Sequence, residues 1–199
     1  MKSRLILAGS AALVGLVAVI IFAFAQPYTL HGSVIDPARP APPISLPASD
    51  GTTYHLDQQG GKLVLLFFGY TSCPDVCPTT LSDLRKVVSG LGEGAKSVQV
   101  VFVTVDPQRD TLDKLQRYLS VFGPSFIGLT GSMDQLEPVW KEYGVYREIQ
   151  AVGTSDNYSV DHSAFIYVID KANQLRMTYP FGADVDSITS DIRFLLKED

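Results

Sequence analysis

Cysteine is scarce in this chain of 199 residues, which contains only two, Cys73 and Cys77. Because they lie four residues apart, they cannot form a disulfide framework between distant segments, and this excludes the disulfide-stabilised class of small secreted proteins. In an oxidising compartment such a pair is more consistent with a working dithiol than with a structural crosslink. The sequence also lacks internal repeats, which excludes a repeat architecture.

Basic residues are also in short supply. Lys2 and Arg4 are the only charged residues before position 26, so the rest of the chain carries 14 basic and 21 acidic side chains, a net charge of −7. A surface of that sign repels a phosphate backbone. Nucleic acid is therefore not an expected partner.

Charge and proline are absent from residues 5–25. As a helix, this segment would extend about 31 Å, the thickness of the hydrocarbon core of a bilayer. Two basic residues precede it, so the positive-inside rule predicts a cytoplasmic N-terminus and an exported remainder. Ala23 and Ala25 resemble a signal-peptide cleavage site, but the apolar run is longer than the usual signal core. We expect residues 1–25 to be an uncleaved membrane anchor, with a cleaved signal as the alternative.

An Arg- and Ser-rich transit segment is missing before the apolar run, which favours a bacterial protein over a mitochondrial one. We therefore expect a single-pass protein of the cytoplasmic (inner) membrane whose domain faces the periplasm. Four prolines between positions 37 and 43 predict a proline-rich linker over residues 26–43. Residues 44–199 remain, which is the length of one ordinary domain with a substantial core.

Hydrophobic patterning in residues 44–199 alternates between strands and helices. Continuous apolar runs predict buried central strands at 63–68 and 98–105. Apolar residues at intervals of three and four predict helices at 79–91, 112–122, 133–143 and 185–197. The other predicted elements are a hairpin around Asp50-Gly51, a short strand at 126–129 and a hairpin across 170–174. Helices between buried strands predict an α/β sandwich.

The segment 69–78, Gly-Tyr-Thr-Ser-Cys-Pro-Asp-Val-Cys-Pro, follows the first central strand and opens a helix. On one helical turn, Cys73 and Cys77 lie about 5–6 Å apart, which permits either a disulfide or a shared soft metal ion. The helix N-terminus favours thiolates, and this assists both chemistries. A dithiol in this position is the thioredoxin arrangement, so we expect a thioredoxin-like α/β fold.

Three separated blocks are similar to the signature motifs of the Sco/SenC family. They are the segment 69–78, Val-Asp-Pro-Gln-Arg-Asp-Thr at 105–111 and Tyr-Ser-Val-Asp-His-Ser at 158–163. The resemblance implies a membrane-anchored copper protein of thioredoxin-like fold that helps assemble the dinuclear copper centre of cytochrome c oxidase. The family's metal ligands fall on Cys73, Cys77 and His162, which implies one copper ion per domain. The implied partner is the copper-bearing oxidase subunit, with other copper chaperones and thioredoxin-like reductants as further partners.

Two thiolates and an imidazole form a soft donor set that suits copper, and three ligands leave room for a ligand from a receiving protein. In a thioredoxin fold, the loop before the late hairpin approaches the dithiol, and His162 occupies that loop here. Asp161 is a candidate to orient the imidazole, with a cap at the start of a strand as the alternative. We interpret His31 and His55 as structural.

Asp106, Arg109 and Asp110 follow the second central strand, at the edge where α/β sheets place their sites. One interpretation is a turn with a helix cap, in which Asp110 bonds the first amides of the next helix. The other is that these residues line the site or dock a partner. The tyrosines that could cover a metal are Tyr70, Tyr146 and Tyr158.

Two rival functions use the same residues. A thiol-disulfide reductase would use Cys73 and Cys77 to reduce the oxidase subunit before copper arrives, and this activity could coexist with delivery. A peroxiredoxin-like thiol peroxidase is suggested by Thr71-Ser72-Cys73. Such an enzyme normally has a proline a few residues before the threonine, and none lies between Gly61 and Cys73.

Overall fold

Three parallel strands form one half of the main sheet in the structure, a computed structural model that describes residues 28–151 and 158–198. Strand β4 (Leu63–Gly69) is buried at all seven positions, and it pairs in parallel with β5 (Val98–Thr104). Strand β6 (Phe126–Leu129) extends the parallel pairing beyond β5. A strand covered on both faces needs apolar side chains in both directions, so the two continuous runs form central strands as predicted.

Antiparallel strands complete the sheet on the other side of β4. Strand β9 (Phe165–Ile169) pairs with β4, β10 (Gln174–Pro180) pairs with β9, and β1 (Ser33–Pro40) pairs with β10. The order is therefore β1-β10-β9-β4-β5-β6. In the turn between β9 and β10, Asn173 adopts a φ of +58°, a conformation that asparagine tolerates better than most residues.

Within the described part of the chain, four α-helices pack around this sheet: α1 (Val76–Gly90), α2 (Leu112–Ser120), α3 (Met133–Glu142) and α4 (Val185–Leu195). Helix α1 buries Leu81, Leu84 and Val87 at intervals of three, the spacing that predicted it. The predicted mixed α/β, thioredoxin-like fold is confirmed by this arrangement of helices and central strands. Each predicted helix is present within a few residues of its expected bounds.

Two further strand pairs lie outside the main sheet. Strands β2 (Ser45–Pro47) and β3 (Thr53–His55) form the hairpin predicted around Asp50-Gly51. Strands β7 (Arg147–Ala151) and β8 (Tyr158–His162) form an antiparallel pair that the sequence analysis did not predict. Most residues of this second pair are exposed or half-buried, so they lack the apolar pattern of a core strand.

The predicted linker over residues 26–43 needs correction. Its segment Ser33–Pro40 is strand β1, with Val34 opposite Met177 and Arg39 opposite Leu175. Prolines indicated a linker, but β1 is an edge strand, where a missing amide donor is tolerated. His31 is bound to the domain too, because its backbone N–H and its Nδ1 both contact the buried carboxylate of Asp191, each at 2.7 Å. The domain therefore begins at about residue 31 and not at residue 44.

The predicted anchor over residues 1–25 lies outside the described residues. Within 28–151 and 158–198, no helix is both long enough and apolar enough to span a bilayer.

Removing strand β1 should destabilise the domain. A fragment of residues 44–199 loses the backbone pairing to β10 and three donors to the buried Asp191 carboxylate, the His31 imidazole and the amides of His31 and Gly32. We expect it to be less stable than a fragment of residues 31–199 by at least about 3 kcal/mol. Urea denaturation of both reduced, metal-free fragments, followed by circular dichroism, measures this difference. A His31→Ala variant of the longer fragment isolates the contribution of the imidazole contact to Asp191, and equal midpoints for the two fragments would contradict the prediction.

Candidate metal and dithiol site

The cysteine loop, residues 70–75, connects the end of β4 to the start of α1. Cys73 is partly exposed, Cys77 is buried in the first turn of α1, and both are free thiols. The backbone N–H of Cys77 donates to Cys73 Sγ at 3.4 Å, so the two residues lie close together, but Cys73 lies in the loop before α1 and not on one helical turn with Cys77 as predicted. Gly69 makes room for them, because a Cβ at this position would lie 2.8 Å from Cys77 Sγ and from the Phe102 ring.

His162 lies beside the two cysteines in the fold although it is distant from them in the sequence. It ends β8, and its Nε2 lies 3.7 Å from Cys77 Sγ, although the two residues are 85 positions apart. The ring packs edge-on against Tyr70, with 5.7 Å between ring centroids. The expected approach of this loop to the cysteines is therefore present in the fold.

A backbone carbonyl orients the imidazole. His162 Nδ1 lies 3.2 Å from the oxygen of Val160, and since a carbonyl only accepts, the proton of a neutral ring belongs on Nδ1. This tautomer leaves the Nε2 lone pair facing Cys77. The suggestion that Asp161 orients the ring was wrong, because Asp161 is exposed and the Val160 carbonyl takes that place.

The two thiols differ in acidity. The Cys77 side chain donates a hydrogen bond to the Cys73 sulfur, and with further backbone donors this lowers the pKa of Cys73 to about 5. The same hydrogen bond keeps the proton on Cys77, and together with burial it raises the pKa of that thiol. At neutral pH the pair is therefore a thiolate on Cys73 beside a thiol on Cys77.

Cys77 and His162 are spaced as two ligands of one ion would be. Donors bound at about 2.3 Å for sulfur and 2.0 Å for nitrogen lie roughly 3.5–3.8 Å apart when the angle between them is tetrahedral to trigonal. The observed 3.7 Å fits that range. Within the described residues, no group of three His, Cys, Asp or Glu side chains is arranged to hold a metal ion as it stands.

The loop after β5, residues 105–110, contacts both sides of the site and is called the bridging loop below. The Asp110 carboxylate is fully buried and accepts from the Thr71 amide at 3.0 Å and the Thr104 hydroxyl at 2.8 Å. It therefore holds the cysteine loop and does not cap the next helix, whose cap is Thr111. The helix-cap interpretation of Asp110 was wrong, and the site-lining interpretation describes its contacts better.

Arg109 reaches from the bridging loop to β8. Its Nε donates to the buried Asp106 carboxylate, and its Nη1 donates to the Tyr158 carbonyl at 2.9 Å. The guanidinium carbon of Arg109 lies over the Tyr158 ring, 3.6 Å from the centroid. The Tyr158 hydroxyl donates to Asp106 at 2.7 Å. These contacts were not predicted, because the partners lie about 50 residues apart and no local pattern signals them.

The three candidate tyrosines have different positions. Tyr70 is buried beside His162, and its hydroxyl accepts from the Val160 amide at 3.4 Å. Tyr158 stacks on Arg109. Tyr146 is 57% exposed, and its hydroxyl bonds Glu148. Together with Cys73, Val160 and His162, Tyr70 lines an open groove of about 370 Å³. A partner can therefore reach Cys73 and His162 from solvent, whereas Cys77 is buried.

The model of the SCO1/SenC family matches residues 35–197. Among curated proteins, an SCO2-like protein of Rickettsia prowazekii is 40% identical over 130 residues, which cover 65% of this chain and 63% of that protein. The chain spans 60–63% of the length of the first four curated relatives it matches.

Two solved structures cover most of the chain. The crystal structure of Arabidopsis thaliana ScoI with copper bound has a TM-score of 0.73 at 34% identity. The match covers 80% of this chain and 99% of the ScoI chain. The structure of Bradyrhizobium japonicum ScoI with copper bound also has a TM-score of 0.73, at 32% identity, and covers 79% and 99%.

The acidity of Cys73 can be measured by alkylation. Because the thiolate is the nucleophile, the rate of Cys73 modification by iodoacetamide should fall about tenfold per pH unit below a midpoint near pH 5 and level off above it. In a Cys77→Ala variant, which lacks the main hydrogen bond, the midpoint should move up toward the ordinary value of about 8.5. Mass spectrometry of quenched samples gives the rates. A midpoint above pH 7 in the wild type would contradict the assignment.

Proposed function

Because the chain belongs to the SCO1/SenC family, we propose that it binds one copper ion through Cys73, Cys77 and His162 and delivers it to the dinuclear copper centre of cytochrome c oxidase. The carrying observation is the 3.7 Å separation between Cys77 Sγ and His162 Nε2. Folding brings the Cys77 thiol and the oriented His162 imidazole, which are 85 positions apart in the sequence, to a distance that suits two ligands of one ion.

The donor set matches the cargo. Thiolate ligands select soft ions such as Cu(I), and imidazole also suits copper. Cys73 is already a thiolate at neutral pH, whereas Cys77 must release its proton on binding, so metal uptake is coupled to proton release. A site with three protein ligands that is open to the groove allows a receiving protein to add its own ligand to the copper ion before the first three ligands dissociate from it. The copper bound by ScoI of Arabidopsis thaliana and of Bradyrhizobium japonicum supports copper as the ion.

The place of action follows from the N-terminal sequence. A single-pass helix over residues 5–25 would anchor the domain to the bacterial cytoplasmic membrane, with the site in the periplasm. The oxidase subunit that receives copper would then be reached by diffusion in two dimensions. Because strand β1 begins at Ser33, only a short segment would separate the membrane from the domain.

A reductase function has separate support. Cys73 combines partial exposure with a low pKa, the properties of an attacking thiol in disulfide exchange, and Cys77 lies where a resolving thiol must be. The dithiol could reduce the cysteines of the oxidase subunit before copper arrives. Peroxidase activity is the weakest alternative, since the loop lacks the expected proline.

Copper content tests the ligand set. We expect one copper ion per wild-type chain, and no stable copper in Cys73→Ser or Cys77→Ser. His162→Ala should bind more weakly by a factor larger than the roughly 10–100-fold that the loss of an outer-shell partner causes. His55→Ala is the matched control, because His55 lies in strand β3, outside the site, and should keep full copper content. Metal analysis after anaerobic reconstitution with Cu(I) and desalting measures all five proteins. Equal copper in the cysteine variants would refute the site.

The same histidine variant separates delivery from reduction. His162→Ala loses a copper ligand but keeps both thiols, so it should still reduce a model disulfide at a rate close to wild type. If the protein delivers copper, cells that carry only this variant should assemble little active oxidase. Oxidase activity in membranes measures the outcome, with His55→Ala as the control. Wild-type assembly by His162→Ala would favour the reductase function.

A further inference from the structure

Side chains occupy the outer edge of the strand that carries His162. One edge of β8 pairs with β7. On the other edge, the Tyr158 carbonyl accepts from Arg109, the Val160 amide donates to Tyr70, and the Val160 carbonyl contacts His162 Nδ1. Backbone groups at a strand edge need partners when they are covered, and here side chains supply them in place of a third strand. The position of His162 therefore depends on these contacts as well as on the pairing of β8 with β7.

We propose that Arg109 is a positioning residue that holds His162 against the dithiol. Its guanidinium fixes Tyr158 twice, through the backbone carbonyl at 2.9 Å and through the face of the ring at 3.6 Å. Asp106 bonds both the guanidinium and the Tyr158 hydroxyl, so the arginine and the tyrosine are locked to the same carboxylate. Tyr158 begins the five-residue strand that ends in His162.

The bridging loop also holds the cysteine side of the site. Asp110, next to Arg109 in the chain, accepts from both the amide and the hydroxyl of Thr71 in the cysteine loop. The bridging loop therefore binds the cysteine loop through the Asp110 carboxylate and strand β8 through the Arg109 guanidinium. Arg147 adds a second connection to the histidine side, because its Nε donates to the Val105 carbonyl. The separation between thiol and imidazole is set by this loop.

The contacts of Arg109 require its shape as well as its charge. A planar guanidinium can bond two acceptors in its plane while it stacks on a ring, and a lysine ammonium cannot do all three. Within the described part of the chain, Arg109 Nη2 is buried without a hydrogen-bond partner. An unsatisfied donor is unfavourable, so the remaining contacts must hold the group in place against that cost. Arg109→Lys therefore removes the geometry and keeps the charge.

Hydrogen exchange in the metal-free protein tests the positioning directly. In Arg109→Lys, amides of Tyr158–His162 should exchange about fivefold faster or more, while those of Leu63–Gly69 should keep their wild-type rates. Arg85→Lys, at an exposed position of α1, is the matched control and should change neither segment. Tyr158→Phe, which loses the hydroxyl bonds to Asp106 and Gln108, should show a smaller increase in the same segment. Unchanged exchange at residues 158–162 in Arg109→Lys would overturn the proposal, as would a uniform increase across the domain.

A double-mutant cycle with Cu(I) tests whether Arg109 acts through His162, and this part rests on the proposed function. Competition with a chromophoric Cu(I) chelator should show about 10-fold weaker binding or more for Arg109→Lys than for wild type. In a His162→Ala background, the same change should have no further effect, because the ligand that it positions is gone. An equal loss in both backgrounds would overturn the proposal. If the wild type binds no Cu(I), the proposed function fails, and the exchange experiment still decides the role of Arg109.

Discussion

The parallel pairing of β4 with β5 is the constraint on which the site depends. Its last pair is Gly69 with Thr104, so the cysteine loop and the bridging loop leave the sheet side by side. Strand β9 runs antiparallel to β4, with Phe67 opposite Ile166, so the residues before β9 arrive at the same end of the sheet. Three segments that are distant in sequence thus converge at the carboxyl ends of the parallel strands, where open α/β sheets generally place their sites. The buried Asp110 carboxylate then ties two of them together.

Elements with a local signal could be predicted from the sequence. The central strands are continuous apolar runs and the helices have regular apolar spacing, so their sequences specify them without knowledge of their neighbours. Strands β1 and β8 were not predicted because few of their side chains are buried. Strand β1 depends on a partner strand more than 100 residues away, and β8 depends in part on side-chain contacts. Their sequences resemble those of loops.

The residues of the site likewise include some that could be predicted from local sequence and some that could not. The cysteines could be recognised from their spacing and from the strand before them, whereas His162 was recognised through the family resemblance. Asp110 has the sequence context of a helix cap, but burial beside Thr71 and Thr104 offers it three donors that only the folded sheet assembles. Arg109 could be selected as a candidate from its place after the second central strand, but its contact with Tyr158, 49 positions away, has no local signal. Residues that hold a site are harder to predict than residues that perform its chemistry.

The central strands of the main sheet are separated from its two lateral edges, and this bears on how the protein behaves at high local density. Strand β1 is the edge strand on one side, and its residues Pro37 and Pro40 offer no amide to a further strand. At the other lateral edge, Ala48 bridges to Leu129, and Ser49 exchanges hydrogen bonds with Gly128. An open edge of apolar strands is a template for the addition of a strand from another molecule. Because β4 and β5 are paired on both sides within the sheet, many copies can crowd together without these apolar strands being available to pair with another molecule.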